Sequence, residues 1–396
     1  MSGLRKLNMM DFTTLIPVRK KKIELANAEK LPETDSYKAN QIAKALHPEV
    51  QNLVVSDVVD LNEDAKLYVL SPDSENGTKQ LAYFSAGQYL SISLKIGSAV
   101  TSRPYSICSS PSESLKGIYK ILVKRVSGGF VSDYILSNWT KGTKVKASAP
   151  EGNFSYEPLR DAKNVIGVVG GSGISVFYSM AQAVFNGDED FSLTILYGSK
   201  TEKDIILKKE LDDIAAKCDK VKVVYVLSEE HNASYEHGFI TADLIKKYKS
   251  SDEYSVFVCG PKVMYDFERT ELEKLSIRKK FIRFELCGLY KNPEMYADFP
   301  KNKEGKYQLK VHTEGEVKTI NCSSDETLLV AMEREGIAVP SRCRSGECGW
   351  CRSRLVSGEV FIPAENDGRR LADVQFGYVH PCVTYPVSDV SIELNH

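Results

Sequence analysis

Residues 343–351 read C-R-S-G-E-C-G-W-C: Cys343, Cys348 and Cys351 in nine positions, with Gly346 and Gly349 between them. A fourth cysteine, Cys382, follows in H-P-C-V-T-Y-P, so the spacing is C-x4-C-x2-C-x30-C. A thiolate is a nucleophile and a metal ligand, and three of them in one short loop call for something to hold. Glycine lets the backbone turn tightly enough to gather the thiols, and amides in such a turn can point at sulfur. Cys382 can close the cage from a neighbouring strand.

Three readings compete for this quartet. A zinc site usually shows two separated CxxC pairs or histidine partners, and this chain has a single CxxC. A disulfide framework needs an oxidising compartment. The start of the chain, MSGLRKLNMMDFTTLIPVRKKK, lacks a continuous apolar run and a small-residue cleavage site, so no export signal is expected. The spacing itself is the plant-type [2Fe–2S] arrangement. Cys343, Cys348, Cys351 and Cys382 are therefore the expected cluster ligands, and Cys108, Cys218 and Cys322 are read as ordinary thiols.

The whole chain of 396 residues suits two to four domains. Apolar residues make up 42% and charged residues 27%, enough for packed cores. The 52 Lys and Arg nearly cancel the 53 Asp and Glu, which argues against nucleic acid as the main partner, since that needs a basic surplus. No run of about 18 apolar residues occurs, so no integral membrane association is expected. The Arg19–Lys22 cluster reads as a solvated helix end. A cytoplasmic, multidomain protein is the expectation.

Texture divides the chain. Residues 1–50 are an N-terminal extension with a short helix expected near Ser36–Leu46, stopped by Pro48. From 51 to 160, LVVSDVVDL, KLYVLSP, YLSISLKI, YKILVKRV and KVKASAP are short β-rich runs, which suit a small antiparallel barrel. From 161 to 288 strands alternate with helical patterns: VIGVVG, ISVFYSMAQAVF, SLTILYGS, a polar helix at Ile205–Ala216, VKVVYVLS, a helix at Thr241–Tyr248, then YSVFVCGP and a helix to Leu275. That alternation implies βαβ crossovers and a doubly wound parallel sheet. Residues 289–305 read as a linker. Residues 306–396 open with two strands, then a helix near Thr327–Glu335, then the cysteine loop.

With these motifs in hand, residues 306–396 resemble a plant-type ferredoxin domain, which implies a β-grasp fold. Arg342, Arg344, Arg352 and Arg354 crowd its loop, and are expected either to face an acidic acceptor or to be solvated. R-P-Y-S (Arg103–Ser106) followed by G-G-F-V-S (Gly128–Ser132) resembles the flavin domain of the ferredoxin–NADP reductase family, as does P-E-G-N-F (Pro150–Phe154). The resemblance implies that Arg103 neutralises flavin phosphate, Tyr105 lies against the isoalloxazine, Ser106 hydrogen-bonds near its N5, and Pro104 belongs to the same cofactor-binding turn. It also implies that Gly128, Gly129, Val131 and Ser132 surround phosphate. V-I-G-V-V-G-G-S-G-I-S places Gly170, Gly171 and Gly173 between a strand and a helix, where a dinucleotide can meet amides. Close strand-to-helix packing explains the same glycines, and Val176 stands where the family commonly has proline. C-G-P-K-V-M matches the family's second nicotinamide motif: Cys259 beside the ring, with Gly260, Pro261 and Met264. Glu285 in F-E-L-C-G lies where the family often has a residue facing the flavin. Ser106, Cys259 and Glu285 are the candidate catalytic residues.

The resemblance covers roughly residues 51–396. It implies the reductase component of a multicomponent electron-transfer system: hydride from NADH or NADPH to FAD (FMN being less favoured), then single electrons through the [2Fe–2S] cluster to an unidentified acceptor metalloprotein, an oxygenase or another reductase component. The alternatives are a stand-alone diaphorase reducing quinones, flavins or ferric chelates, and a non-catalytic redox sensor. Residues 1–50 belong to none of the three modules and are a candidate docking element for the partner.

Overall fold

The structure, a computed structural model, describes residues 9–28, 37–285, 288–290, 292–303 and 305–394. Residues 1–46 and 47–396 are separate compact units. The first holds helices α1 (Met9–Ala28) and α2 (Lys38–Leu46). The second helix lies where it was expected, ending before Pro48. The first was not legible: its apolar residues show no stripe at helical spacing, and Pro17 sits inside it. Among the described residues, no helix is long and apolar enough to cross a membrane.

The second unit contains three main sheets. Strands β1 (Gln51–Asn62), β2 (Ala65–Pro72), β3 (Tyr89–Ile96), β4 (Ala99–Ser106), β5 (Tyr119–Lys124) and β6 (Lys144–Ala147) form an antiparallel sheet in the order β4-β3-β6-β1-β2-β5. Alternation along β1 buries Gln51, Leu53 and Val55 on one face. The sheet curls until its edges meet at the Ile107–Ile121 bridge, where the Cys108 amide donates to the Lys120 carbonyl at 2.7 Å. It is a half-barrel; the short helix α3 (Pro111–Ser114) follows β4, and helix α4 (Phe130–Asn138) begins just after Gly129.

The second sheet is wholly parallel: β7 (Asn164–Gly170), β8 (Ser192–Ser199), β9 (Val221–Leu227), β10 (Glu236–His237), β11 (Ser255–Cys259) and β12 (Ile282–Phe284), in the order β10-β9-β8-β7-β11-β12. Its helices include α5 (Ile174–Asn186), α6 (Lys208–Ala215), α7 (Ala242–Tyr248) and α8 (Lys262–Glu273). Successive strands step outward from β7 and then restart on its other side at β11. That reversal is a topological switch point, the place where open α/β sheets bind ligands. Phe154 of P-E-G-N-F joins barrel to sheet, with its ring 6.1 Å from Phe177 and 5.2 Å from Phe257.

In the last sheet, β13 (Lys306–Thr313), β14 (Glu316–Ser323), β15 (Ser353–Ser357), β17 (Tyr378–Val379) and β19 (Val390–Leu394) run in the order β14-β13-β19-β15-β17, beside a two-strand ribbon of β16 (Val360–Phe361) and β18 (Tyr385–Pro386). Helix α9 (Leu328–Arg334), capped by the Thr327 hydroxyl, buries Leu328, Ala331 and Met332 against this sheet. Within the segment read as a linker lies a packed strap: Tyr296, 5% exposed, sits in a cluster with Phe361, Tyr385 and Val387.

Candidate functional site

The cysteine loop runs between α9 and β15. Cys343, Cys351 and Cys382 are buried and Cys348 is partly exposed. The thiols are close enough to bias one another's ionisation, Cys343 with both Cys348 and Cys382, and Cys351 with Cys382. The Cys343 sulfur also accepts the Ser345 and Cys348 amides, both at 3.4 Å. These contacts, led by that with Cys348, hold the Cys343 thiol far below the ordinary thiol range. Gly346 permits the turn: its φ is +86°, and a Cβ there would lie 2.2 Å from the Asn366 carbonyl oxygen. Among the described residues, no three His, Cys, Asp or Glu side chains are arranged around one point as a single metal ion requires. The donor set is four neighbouring thiols, free of disulfides. Its chemistry fits a two-iron cluster, which divides its thiolates between the irons.

Beside the loop lies a cleft of 610 Å³ walled by all three parts of the second unit. The half-barrel contributes Arg103, Pro104, Tyr105, Ser106 and Ser132; the parallel sheet contributes Gly170, Gly171, Gly173, Cys259, Gly260, Pro261 and Glu285; the loop contributes Cys343, Arg344 and Ser345. Burial pushes the Tyr105 hydroxyl up to about 12, and burial followed by the Glu285 charge raises the Cys259 thiol well above its usual range. Cys259 is thus a neutral thiol at physiological pH, suited to packing against a ring and not to nucleophilic attack.

The glycines divide into two kinds. A Cβ on Gly173 would lie 2.5 Å from the Cys259 carbonyl oxygen, and one on Gly170 2.7 Å from the Met264 sulfur, so both permit close packing of the β7 and β11 ends. Gly171 has φ +55°, and a Cβ there would have only the Lys124 amine, at 3.9 Å, within 4 Å; it faces the open cleft. In G-G-F-V-S, Gly128 has φ +69° and open surroundings. The Ser132 hydroxyl, expected beside phosphate, accepts the Val126 amide at 3.1 Å and so braces the loop. The Val131 side chain is 3% exposed in the barrel core, which leaves only its backbone to face the loop. Met264 packs against Gly170 and Gly260, behind the cleft wall.

Two of the four loop arginines, Arg342 and Arg344, are neither solvated nor turned outward, contrary to expectation. Arg342 pairs with Glu151 of the barrel, its guanidinium 3.5 Å from the Trp350 ring centre. Arg344 grips Glu333 of α9 through two bonds of 2.6 and 3.0 Å. Only Arg352 and Arg354 are substantially exposed. The Ser102 hydroxyl of β4 meets the Ser341 carbonyl and hydroxyl at 2.7 Å, and Lys262, at the start of α8, pairs with Glu365 at 3.0 Å. Arg103 bonds Thr101 and the Ser102 carbonyl at 2.5 and 2.7 Å, and reaches Glu333 at 3.9 Å. Burial, then the neighbouring Arg344 charge, lowers its guanidinium to about 10. Motif reading missed Tyr89, Lys124 and Arg344 in the cleft wall. Tyr89 and Lys124 sit in ordinary strand patterns; the one signal for Arg344 was the crowding of arginines in the loop.

Sequence comparison agrees with this division. Residues 52–156 match the oxidoreductase FAD-binding domain family, residues 168–270 the oxidoreductase NAD-binding domain family, and residues 311–387 the 2Fe-2S iron-sulfur cluster binding domain family. The chain is 27% identical over 331 residues to the glycine betaine monooxygenase reductase subunit of Pseudomonas aeruginosa, covering 79% of this chain and 88% of the relative. It is 27% identical over 358 residues to the ferredoxin reductase component of 3-ketosteroid-9-alpha-monooxygenase from Mycobacterium tuberculosis, covering 88% and 96%. Among solved structures, phthalate dioxygenase reductase superposes with a TM-score of 0.63 at 22% identity, over 88% of this chain and 98% of that one. That likeness is one of fold.

Proposed function

We propose that this chain, an oxidoreductase of FAD-binding, NAD-binding and 2Fe-2S domains that passes NAD(P)H electrons through FAD to the iron–sulfur centre, is the reductase of an oxygenase system. Bound FAD supplies a two-electron acceptor and the [2Fe–2S] cluster a one-electron carrier, so together they turn hydride into single electrons. The observation that carries the reading is the shared cleft: R-P-Y-S, the two nicotinamide motifs and Cys343 line one space.

Each residue then has a task. Arg103 neutralises flavin phosphate, and Tyr105 with Pro104 gives the isoalloxazine a flat, dry wall. Ser106 offers a hydroxyl at the ring edge. Gly171 lets the nicotinamide nucleotide approach the backbone, while Gly170, Gly173 and Gly260 keep the ends of β7 and β11 close enough to hold it. Cys259 packs on the nicotinamide, and Glu285 sets the charge beside both rings. Cys343, Cys348, Cys351 and Cys382 hold the cluster at the cleft's edge. The acceptor is an oxygenase because named relatives serve monooxygenases.

The test is anaerobic purification, analysis of flavin, iron and sulfide, and titration with NADH and NADPH while visible spectra are recorded. One flavin and two irons per chain, with flavin bleaching followed by cluster reduction, is the expected result. Zinc without labile sulfide, or cofactors that neither nucleotide reduces, would overturn the reading.

A further inference from the structure

The wall of the cleft at Arg103 is built by two domains. Arg344 comes from the cysteine loop, Arg103 from β4, and both reach the same carboxylate, Glu333 of α9. Arg344 and Glu333 side chains are 13% and 6% exposed. Two guanidiniums against one carboxylate leave a net positive charge in a poorly solvated wall, which calls for an anion to complete it. Arg344 commits two of its five N–H groups to Glu333, and the rest of its planar fork suits phosphate oxygens. Its backbone is also unusual. A φ of +56° is sparsely populated by residues other than glycine, and here it accompanies a reversal between the Cys343 thiol, turned to the quartet, and the Arg344 guanidinium, turned to Glu333. Ser345 adds no donor, because its hydroxyl already donates to the Cys343 carbonyl at 3.1 Å.

We propose that Arg344 is a flavin-binding residue: with Arg103 it clasps the flavin phosphate from the opposite side, so that the cluster domain forms one wall of the flavin site. Flavin retention and docking of that domain are then linked, each strengthening the other by the same factor. This rests on the flavin reading of the cleft.

The experiment titrates full-length protein stripped of flavin with FAD, FMN and riboflavin, following flavin fluorescence, with cluster integrity read by visible circular dichroism. Arg344→Gly removes the guanidinium at a φ that glycine accepts. The dissociation constants of FAD and FMN should rise about 10- to 100-fold, the range for a charge-assisted bond, while that of riboflavin, which lacks phosphate, stays put. Arg344→Lys keeps the charge without the fork and should lose about 3- to 10-fold, again only for the phosphorylated flavins; it decides the matter if the glycine variant sheds its cluster. Equal losses for all three flavins, or none for any, would overturn the proposal. Wild-type protein that binds no flavin at all would instead sink the flavin reading beneath it.

Discussion

The cysteine loop and the cleft beside it touch at Cys343, yet they are written in the sequence in opposite ways. Three of the four loop thiols fall within nine residues, and their geometry is enforced by local backbone: amides aimed at the Cys343 sulfur and a glycine that tolerates no Cβ. The cleft has no such stretch. It is assembled from strand ends and a loop, with partners such as Ser102 and Ser341 that stand 239 positions apart. A locally encoded site should fail as a unit when one member is lost. An assembled site should fail by degrees, through the packing that brings its parts together.

The most severe test of that contrast is Cys382→Ser. The three remaining loop thiols cannot close the cage, so iron and labile sulfide should fall to background and transfer to a protein acceptor should vanish. Hydride-dependent reduction of a small dye, which bypasses the cluster, should persist in protein resupplied with flavin. A variant that kept its iron, or lost dye reduction as fully as cluster, would show that the two regions are not separable in this way.

A second test asks whether the nicotinamide side weakens with pH while the loop does not. Glu268 of α8 is 1% exposed and its Oε2 has no hydrogen-bond partner among the described residues. Burial, then the Glu271 charge, raises its carboxyl from the ordinary 4.5 to about 8. The folded state therefore holds this proton across that interval while the unfolded state has released it. Stability is fully present below about pH 4.5 and declines as pH rises through about 8. At about 1.4 kcal/mol per unit across that interval, the contribution is on the order of 5 kcal/mol. Glu268→Gln should flatten this slope in thermal melts from pH 5 to 9, with cluster circular dichroism less affected than far-ultraviolet signal. A wild-type melting temperature that rises across that window would break the argument.

Within the cleft, Gly173 and Gly171 separate packing from access. Gly173→Ala must move the Cys259 carbonyl, and overpacking of this kind costs about 1–3 kcal/mol; Tm should drop and KM for NADH rise. Gly171→Ala meets open space and pays chiefly for its positive φ, about 1 kcal/mol. Equal Tm losses would mean that both glycines serve the same purpose.

How much of this could be read in advance follows from the same contrast. The order of strands and helices in the parallel domain was legible because buried runs and helical periods alternate cleanly, as in VIGVVG followed by ISVFYSMAQAVF. The motifs gave the cleft its main residues because turns at strand ends have a fixed chemistry. Docking was not legible. Arg342 and Arg344 look like solvated loop charges until Glu151 and Glu333 are brought to them by folding; Glu333 lies in no motif, and P-E-G-N-F gives no sign that its Glu151 awaits a loop arginine. Likewise the strap at 289–305 has no period, because its aromatic residues are ordered by the ring cluster around Phe361 and not by a helix or strand of its own.

The smallest expected effect concerns the choice between NADH and NADPH, decided at the outer end of the cleft's parallel sheet. In such sheets the adenosine ribose lies beyond the end of the strand next to the glycine turn, and a 2′-phosphate there needs a cation. That strand is β8, which ends at Ser199. Lys200 follows, but its amine is held by Glu229 at 2.8 Å. Glu202 is bonded to Tyr235 at 2.5 Å, Glu230 accepts the Glu202 amide at 2.8 Å, and Asp204 caps Thr201 at 2.8 Å. Four carboxylates thus share the ground where a phosphate dianion would sit, and NADH should be the better donor. Glu229→Gln frees Lys200 without moving the backbone. Because exposed ion pairs contribute roughly 0–1 kcal/mol, kcat/KM for NADPH should rise by about two- to fivefold, with that for NADH nearly unchanged. Wild-type protein that prefers NADPH would place the ribose elsewhere and break this assignment, while leaving the cysteine loop and the flavin wall untouched.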